Sequence, residues 1–325
     1  MLQDRYGRRF RYLRLSVTDV CNFRCTYCLP SGYQAPAGVA DPFLSAAEVA
    51  VIAAAFARLG TSKVRLTGGE PSLRADLPEL IRRCKDTAGI RTVALTSNGY
   101  RLPRQIDDWH RAGLDALNIS IDSLDRDEFT RITGHDRLPH ILAGIDRAVA
   151  LGLSSIKVNA VLLREGQAAR MHDFLDWLRE TPVTLRFIEL MQTGDNAVFF
   201  RHQHLRAEEM LLQLKALGWQ ESVRSHDAGP ARELWHADYA GRIGFIMPYS
   251  KDFCASCNRL RVSAQGRLHL CLFANEGQDI RDWCQRGDVE GLMAHLQHLV
   301  GDKRESHLLQ QQQTGATRHF AMIGG

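Results

Sequence analysis

The sequence predicts an α/β protein: an incomplete (β/α)6 barrel of the TIM type, with a smaller C-terminal α+β unit covering its open side. Three observations predict it. From Arg11 to about Ile188, short β-rich runs alternate with helical patterns, the layout of parallel strands joined by right-handed crossover helices. Polar residues recur at the C-terminal ends of successive runs, where barrels place their sites, and this favours a barrel over a Rossmann sheet. After Glu189 the alternation gives way to one helix and two hairpin-like segments.

The expected elements follow in order. The first strand is Leu13 to Val17. A helix from Ser45 to Leu59 starts at Ser45 as N-cap, with Glu48 three residues on completing a capping box. Strands then fall at Lys63 to Leu66, Thr92 to Thr96 and Ala116 to Ile121. The helix Leu138 to Leu151 stops at Gly152, and strands Ser155 to Leu162 and Thr184 to Ile188 complete six β/α units. Beyond Glu189 come a helix around Glu208 to Leu217 and hairpins at Glu233 to Met247 and Leu260 to Cys271, turning at Gly241 and Gly266. The tail from Gln310 carries a run of four glutamines, shows no periodicity and is expected to be flexible. Two domains are expected, 1–190 as the partial barrel and 191–325 as the C-terminal unit.

At 325 residues the chain suits one large or two ordinary domains with a substantial core. Its 45% hydrophobic and 24% charged residues are those of a globular protein rather than a disordered or fibrous one. A net charge of +4 falls short of a dedicated nucleic-acid domain and points instead to a local site for a phosphorylated small molecule. Arg8-Arg9-Phe10 has the look of a twin-arginine export signal, but no apolar segment follows it before the cysteines begin. The longest apolar stretch, Val49 to Ala57, is about half the ~20 residues of a membrane helix. A cytoplasmic protein is expected, a monomer or homodimer that uses neither membrane nor nucleic acid.

Among the eight cysteines, the C-x3-C-x2-C run Cys21, Cys25, Cys28 and the pair Cys254, Cys257 favour metal ligation in a reduced compartment over disulfides. Cys84 and Cys284, outside both sets, read as small packing residues. The first run follows the first strand and places three thiolates round one centre. An iron–sulfur cube needs one thiolate per iron, so three cysteines leave one iron open to a small molecule. A zinc knob would want a fourth protein ligand, and no histidine lies nearby. Cys254, Cys257 and Cys271 repeat the arithmetic, the alternative being a zinc ribbon short of one ligand. Two incomplete triplets suggest two sites, one activating a reagent and the other holding what that reagent attacks.

With Cys21-Asn-Phe-Arg-Cys25-Thr-Tyr27-Cys28 placed after the first strand, the chain resembles the radical S-adenosylmethionine enzymes. The resemblance implies a [4Fe–4S] cluster on Cys21, Cys25 and Cys28 as the catalytic centre, with S-adenosylmethionine on its open iron. One electron into the sulfonium then yields methionine and a 5′-deoxyadenosyl radical. It also implies roles for Tyr27 beside adenine, for Gly69 in Leu66-Thr-Gly68-Gly69-Glu70-Pro71 at the methionine amino group, and for Ser120 and Met191 at strand ends. Taken alone these are a loop tyrosine, a tight turn, a cap and a core filler.

The second set, in Phe253-Cys254-Ala-Ser-Cys257-Asn258-Arg259-Leu260-Arg261 with Cys271, resembles the second cluster of the GTP 3′,8-cyclases, which begin molybdenum cofactor biosynthesis. The likeness runs from about Tyr6 to Cys271 and to the terminal Gly324-Gly325, which in that family reaches into the active site. By period 2, Arg259 and Arg261 share one side of a strand, where guanidinium forks suit a triphosphate. Arg14, Lys63, Arg65, Lys157 and Arg186 also fall on strands, and five inward cations would be costly to bury without a shared polyanion. The resemblance adds Leu260 and Thr96 to the GTP contacts. It implies two [4Fe–4S] clusters, a reducing electron donor, and hydrogen abstraction at C3′ of GTP followed by attack on C8. The next enzyme of the pathway, a cyclic pyranopterin monophosphate synthase, would take the product. A radical peptide-modifying enzyme is the alternative of the same class, and an iron–sulfur electron-transfer or RNA-binding protein the alternative outside it. The Gly-Gly end also has the look of a ubiquitin-like sulfur carrier, but no β-grasp pattern precedes it.

Overall fold

A computed structural model describes residues 1–35, 43–223, 229–274, 276–307, 309–311, 313–315 and 321. Six strands carry the barrel: β1 (Tyr12–Ser16), β2 (Lys63–Thr67), β3 (Thr92–Ser97), β4 (Ala116–Ser120), β5 (Ser155–Leu162) and β6 (Thr184–Glu189). Each pairs parallel with the next. Helices return the chain between them, among them Ala46–Arg58, Leu77–Lys85, Leu102–Arg111, Leu138–Ala150 and Gln167–Glu180. Short strands follow: β7 (Gln220–Glu221), β8 (Arg232–Trp235), β9 (Arg242–Ile246), β10 (Arg259–Val262), β11 (Arg267–His269) and β12 (Gln278–Asp279).

The predicted capping box is present, with the Glu48 amide donating to Ser45 Oγ at 3.3 Å and the Ser45 amide donating back to Glu48 Oε2 at 2.8 Å. Both predicted hairpins are present too, β8 with β9 and β10 with β11, each antiparallel. Gly266 turns the second with φ 78°, a conformation few other residues adopt.

Local pattern does not reveal where these hairpins go. β9 adds parallel to β6 and β10 adds parallel to β1, so one sheet runs β12-β11-β10-β1-β2-β3-β4-β5-β6-β9-β8-β7. It is a barrel left open, because β12 and β7 are edges in this order. The C-terminal strands thus extend the barrel's own sheet at both ends.

Strand periodicity divides the sheet into two faces. Leu13, Leu15, Val64, Leu66, Val93, Leu95, Leu117, Ile119 and Val158 are fully buried in one core with helix residues such as Val49, Ile52 and Phe56. The alternate residues face the barrel interior, and many of them are polar, among them Arg14, Arg65, Asn118, Asn159 and Arg186. Cys84 and Cys284 sit in the core as packing residues, their thiols pushed up to about 12 by burial. No helix of the described residues is long and apolar enough to cross a membrane.

Candidate active site

Pairing register turns the interior polar residues into rows. Across β10, β1 and β2 one row reads Arg261, Arg14, Arg65 and the next Arg259, Tyr12, Lys63. Across β5 and β6, Asn159 stands beside Arg186, with Ser120 of β4 on its other side and Lys157 beside Asn118 one step below. Like charges directly opposite one another on a sheet repel. Here they line a cavity enclosing about 1200 Å³ of atom-free space, its mouth included.

That cavity is bordered by Arg14, Lys63, Arg65, Lys157, Arg186, Arg259, Arg261 and Lys303, and by no carboxylate among the described residues. Burial, aided by neighbouring arginines and opposed by Tyr12, brings Arg14 and Arg186 down to about 10 and Arg261 to about 9. Burial would push the Tyr12 phenol up, but Arg65, Arg14 and Lys63 outweigh it and draw it down to about 6. Tyr12 Oη accepts from Arg65 Nε at 2.5 Å, Asn159 Oδ1 accepts from Arg186 Nη2 at 2.7 Å, and Lys157 pairs with Glu233 at 2.5 Å. Tyr12, Asn159 and Glu233 thereby orient Arg65, Arg186 and Lys157 within the cavity.

A second cavity of about 1040 Å³ lies at the C-terminal ends of the barrel strands. Cys21, Cys25, Tyr27, Cys28, Gly68, Gly69, Ser120 and Met191 all border it. Its charges are the reverse of the first. Asp122 and Glu189 line it, and neither lysine nor arginine does among the described residues. Burial pushes Asp122 up to about 6 and Glu189 to about 7. Tyr27 Oη donates to Asp122 Oδ2 at 2.9 Å, fixing the cysteine loop to β4. Asn159, Ile188 and Met191 border both cavities, so one thin wall separates them.

The cysteine loop is held by backbone. Arg24 and Thr26 amides donate to Thr133 and Ile132 carbonyls at 3.0 and 3.1 Å, and Phe23 stacks on His135 at 5.0 Å. Gly69 and Glu70 amides donate to Thr18 and Val20 carbonyls at 2.8 and 2.7 Å. A Cβ on Gly69 would meet the Asp19 carbonyl at 2.5 Å, and one on Gly68 would overlap that of Thr18. The close approach these glycines permit is therefore to the cysteine loop itself, as well as to the cavity. Glu70 is spent inside the protein, accepting from Ser97 Oγ at 2.8 Å and the Asn98 amide at 2.6 Å. Gly69→Ala is expected to destabilise by about 1–3 kcal/mol through overpacking and to release iron from the first site; calorimetry and an iron assay read the two effects.

The remaining expected residues fall as follows. The Leu260 side chain points away from the cation cavity into the core, because it alternates with Arg259 and Arg261 on β10. Thr96 borders the thiol cavity rather than the cation cavity, though it accepts from Arg65 Nη1 at 3.2 Å across the wall. Gly324 and Gly325 lie outside the described residues; Ala321, just before them, borders the thiol cavity. Sequence reasoning missed Tyr12, Asn118 and Asn159, which strand periodicity alone would have turned inward beside the cations. It also missed Lys303, which belongs to no motif.

Two sets of donors suit thiolate-bound iron–sulfur clusters. Among the described residues no three ligands converge as they would round a single metal ion, whereas a cube takes each thiolate on a different iron. The first set faces a cavity whose carboxylates and lack of cations suit a sulfonium ligand. The second set, Cys254, Cys257 and Cys271, borders the cation cavity, and Cys271 Sγ accepts from the Phe273 amide at 3.5 Å. Burial pushes Cys21 up to about 12, whereas at Cys254 burial is outweighed by hydrogen bonds from His307 and Ser306, which bring it to about 7.

An open parallel barrel with three thiols after β1 defines a radical SAM protein, and residues 15–178 match the Radical SAM superfamily. Residues 183–309 match Molybdenum Cofactor Synthesis C. A GTP 3′,8-cyclase of Stenotrophomonas maltophilia strain K279a is 54% identical over 325 residues, 100% of this chain and 99% of that protein. Those of Cronobacter sakazakii and Vibrio vulnificus strain CMCP6 are 50% and 49% identical, covering 100% and 99% of this chain and 99% and 97% of theirs. The chain belongs to the GTP 3′,8-cyclase family. Among solved structures, Streptococcus suis SuiB bound to S-adenosylmethionine matches with TM-score 0.61 at 12% identity, over 90% of this chain and 68% of that one. AnSMEcpe with bound AdoMet and Cp18Cys peptide matches with TM-score 0.56 at 12% identity, over 89% and 83%. These two share the fold alone.

Proposed function

We propose that this protein is a GTP 3′,8-cyclase that holds GTP in the cation-lined cavity and S-adenosylmethionine in the thiol-lined one. The observation that carries this reading is the wall of Asn159, Ile188 and Met191 common to two cavities that, among the described residues, have eight cations and no carboxylate in the one and two carboxylates and no cation in the other. A triphosphate is matched by the first and a sulfonium by the second, and the wall brings ribose and adenosyl groups to one place.

Cys21, Cys25 and Cys28 would hold one [4Fe–4S] cluster, and Cys254, Cys257 and Cys271 a second. Bound there, the first supplies one electron for reductive cleavage of S-adenosylmethionine, and the second an open iron for guanine. The chain's own residues do the rest. Tyr27, Gly69, Ser120 and Met191 shape the S-adenosylmethionine site, which supports the 5′-carbon facing the shared wall. Arg14, Lys63, Arg65, Lys157, Arg186, Arg259 and Arg261 grip the triphosphate and so fix C3′ of the ribose, the carbon that loses hydrogen. Fixed guanidinium forks prevent the nucleotide from sliding once C3′ is a radical, which favours ring closure onto C8 of the same molecule. Ring closure leaves the unpaired electron on the guanine, and one electron from the reducing donor with one proton at N7 would complete (8S)-3′,8-cyclo-7,8-dihydroguanosine 5′-triphosphate.

Residues 1–190 would then serve as the S-adenosylmethionine part and 191–325 as the substrate part, joined in one sheet. A reducing electron donor and a cyclic pyranopterin monophosphate synthase complete the set of partners. Anaerobic reconstitution tests the reading: about eight irons per chain are expected, as two cubes require, with 5′-deoxyadenosine formed only when GTP is present. Formation that ignored GTP would overturn the substrate assignment and favour a radical enzyme acting on some other molecule, a peptide among them.

A further inference from the structure

The N-terminal residues have no role in the reading above, and residues 303–307 only that Lys303 is one of the cavity's eight cations, yet the two segments meet at the second cysteine set. Residues 3–9 fold as a small loop, with Gln3 and Arg9 bridged antiparallel about a turn at Gly7. Inside it lies Arg8, half of the pair that has the look of an export signal, and it is only 9% exposed. Its Nε donates to Asp4 Oδ2 at 2.6 Å. Nη1 donates to the Cys254 carbonyl at 3.1 Å and the Glu305 carbonyl at 2.6 Å, and Nη2 to the Arg304 carbonyl at 2.6 Å. One buried guanidinium therefore ties the N-terminus and the 304–305 backbone to a cluster-ligand loop.

The segment so held lies against the thiols. Ser306 and His307 line the same void as Cys254. The His307 ring is wedged between Phe253 and Phe273, with centroids 5.9 and 5.5 Å away, and Nε2 meets the Pro248 carbonyl at 2.9 Å. Lys303 is 3% exposed; its ammonium donates to the Leu270 carbonyl and lies 5.4 Å from the Phe10 ring, and the residue lines the same void as Cys257 and Cys271. The three thiols border the cation cavity on one side and, on the other, a void of about 750 Å³ walled by Arg8, Lys303 and His307.

Buried cations are retained where something anionic offsets them. A thiolate-bound cluster is such a group, and charge and hydrogen bonds at its sulfurs set its potential. Resting on the two-cluster reading, we propose that residues 303–307, pinned by the Asp4–Arg8 pair, form the outer wall of the second cluster's chamber and raise its potential. Lys303 supplies the charge, and Arg8 is the positioning residue.

The test is an EPR-monitored redox titration of the full-length chain in a Cys25→Ala background, where only the second cluster contributes. Lys303→Met is expected to lower its midpoint by at least 59 mV, a tenfold change in the one-electron equilibrium. Lys303→Arg should restore the value, and Arg8→Gln should move it the same way by less. If the parent takes up no iron in this background, the two-cluster reading fails and the inference falls with it. If the parent holds its cluster and Lys303→Met leaves the midpoint in place, the reading stands and the inference is overturned. Should Lys303→Met lose its cluster, Arg8→Gln decides: a lowered midpoint or a lost cluster supports the wall, and an unmoved midpoint sinks it.

Discussion

Replacing Arg186 with methionine is expected to weaken GTP binding by about 10- to 150-fold while raising the thermal stability of the GTP-free protein. The first effect follows from losing a charge-assisted phosphate contact, about 1.5–3 kcal/mol, at ~1.4 kcal/mol per decade of affinity. The second comes from burial. Arg186 is 9% exposed, its guanidinium donates to the neutral Asn159 amide, and Arg65 repels it. A buried charge without full compensation costs several kcal/mol, which a methionine of similar length removes.

The sign can be checked through pH. Burial, then repulsion by Arg65, brings Arg186 from 12.5 to about 10 in the folded chain. Between those values the unfolded chain binds more protons, so stability rises as pH climbs from about 10 to 12.5, and the cost is present in full at pH 7. Calorimetry at pH 7 should show Arg186→Met melting higher by about 2–4 °C for each kcal/mol recovered. A lower melting temperature together with unchanged GTP affinity would mean that Arg186 serves the sheet and not the substrate.

Cys25→Ala is expected to reduce turnover to background and halve the iron, from about eight to about four per chain, while GTP affinity stays at the wild-type value. Cys25 borders only the thiol cavity, and the residues proposed to grip GTP border the other. Cys25 is also the hinge of its loop, its carbonyl accepting from Cys28 and Leu29 amides at 3.0 Å each, but those bonds are backbone and survive the change. Isothermal titration with GTP and an iron assay separate the outcomes. A parallel loss of GTP binding would show that the two cavities fold as one unit.

Much of the site was legible in the chain because its signals are local. The spacing of Cys21, Cys25 and Cys28 after a predicted strand marks the first site, and period-2 alternation correctly turns Arg14, Arg65, Arg186, Arg259 and Arg261 inward together. The same rule, applied to Leu260, places its side chain in the core. What Thr96 and Glu70 bond was not legible for another reason: residues at strand ends choose between ligand and protein according to what the neighbouring strand offers, and here Arg65, Ser97 and Asn98 take those bonds.

By itself, then, the sequence determined six β/α units, two thiol triplets and an excess of inward cations, all consequences of short-range spacing and period. Tertiary structure alone decided that β10 lies parallel to β1 in the register that aligns Arg261, Arg14 and Arg65. It also decided that Arg8 and Lys303, nearly three hundred residues apart, meet behind the second triplet. The physical reason is that strand pairing and buried hydrogen bonds between distant segments form only when the whole sheet closes on one arrangement, and no local propensity records which partner a strand edge or a guanidinium will find.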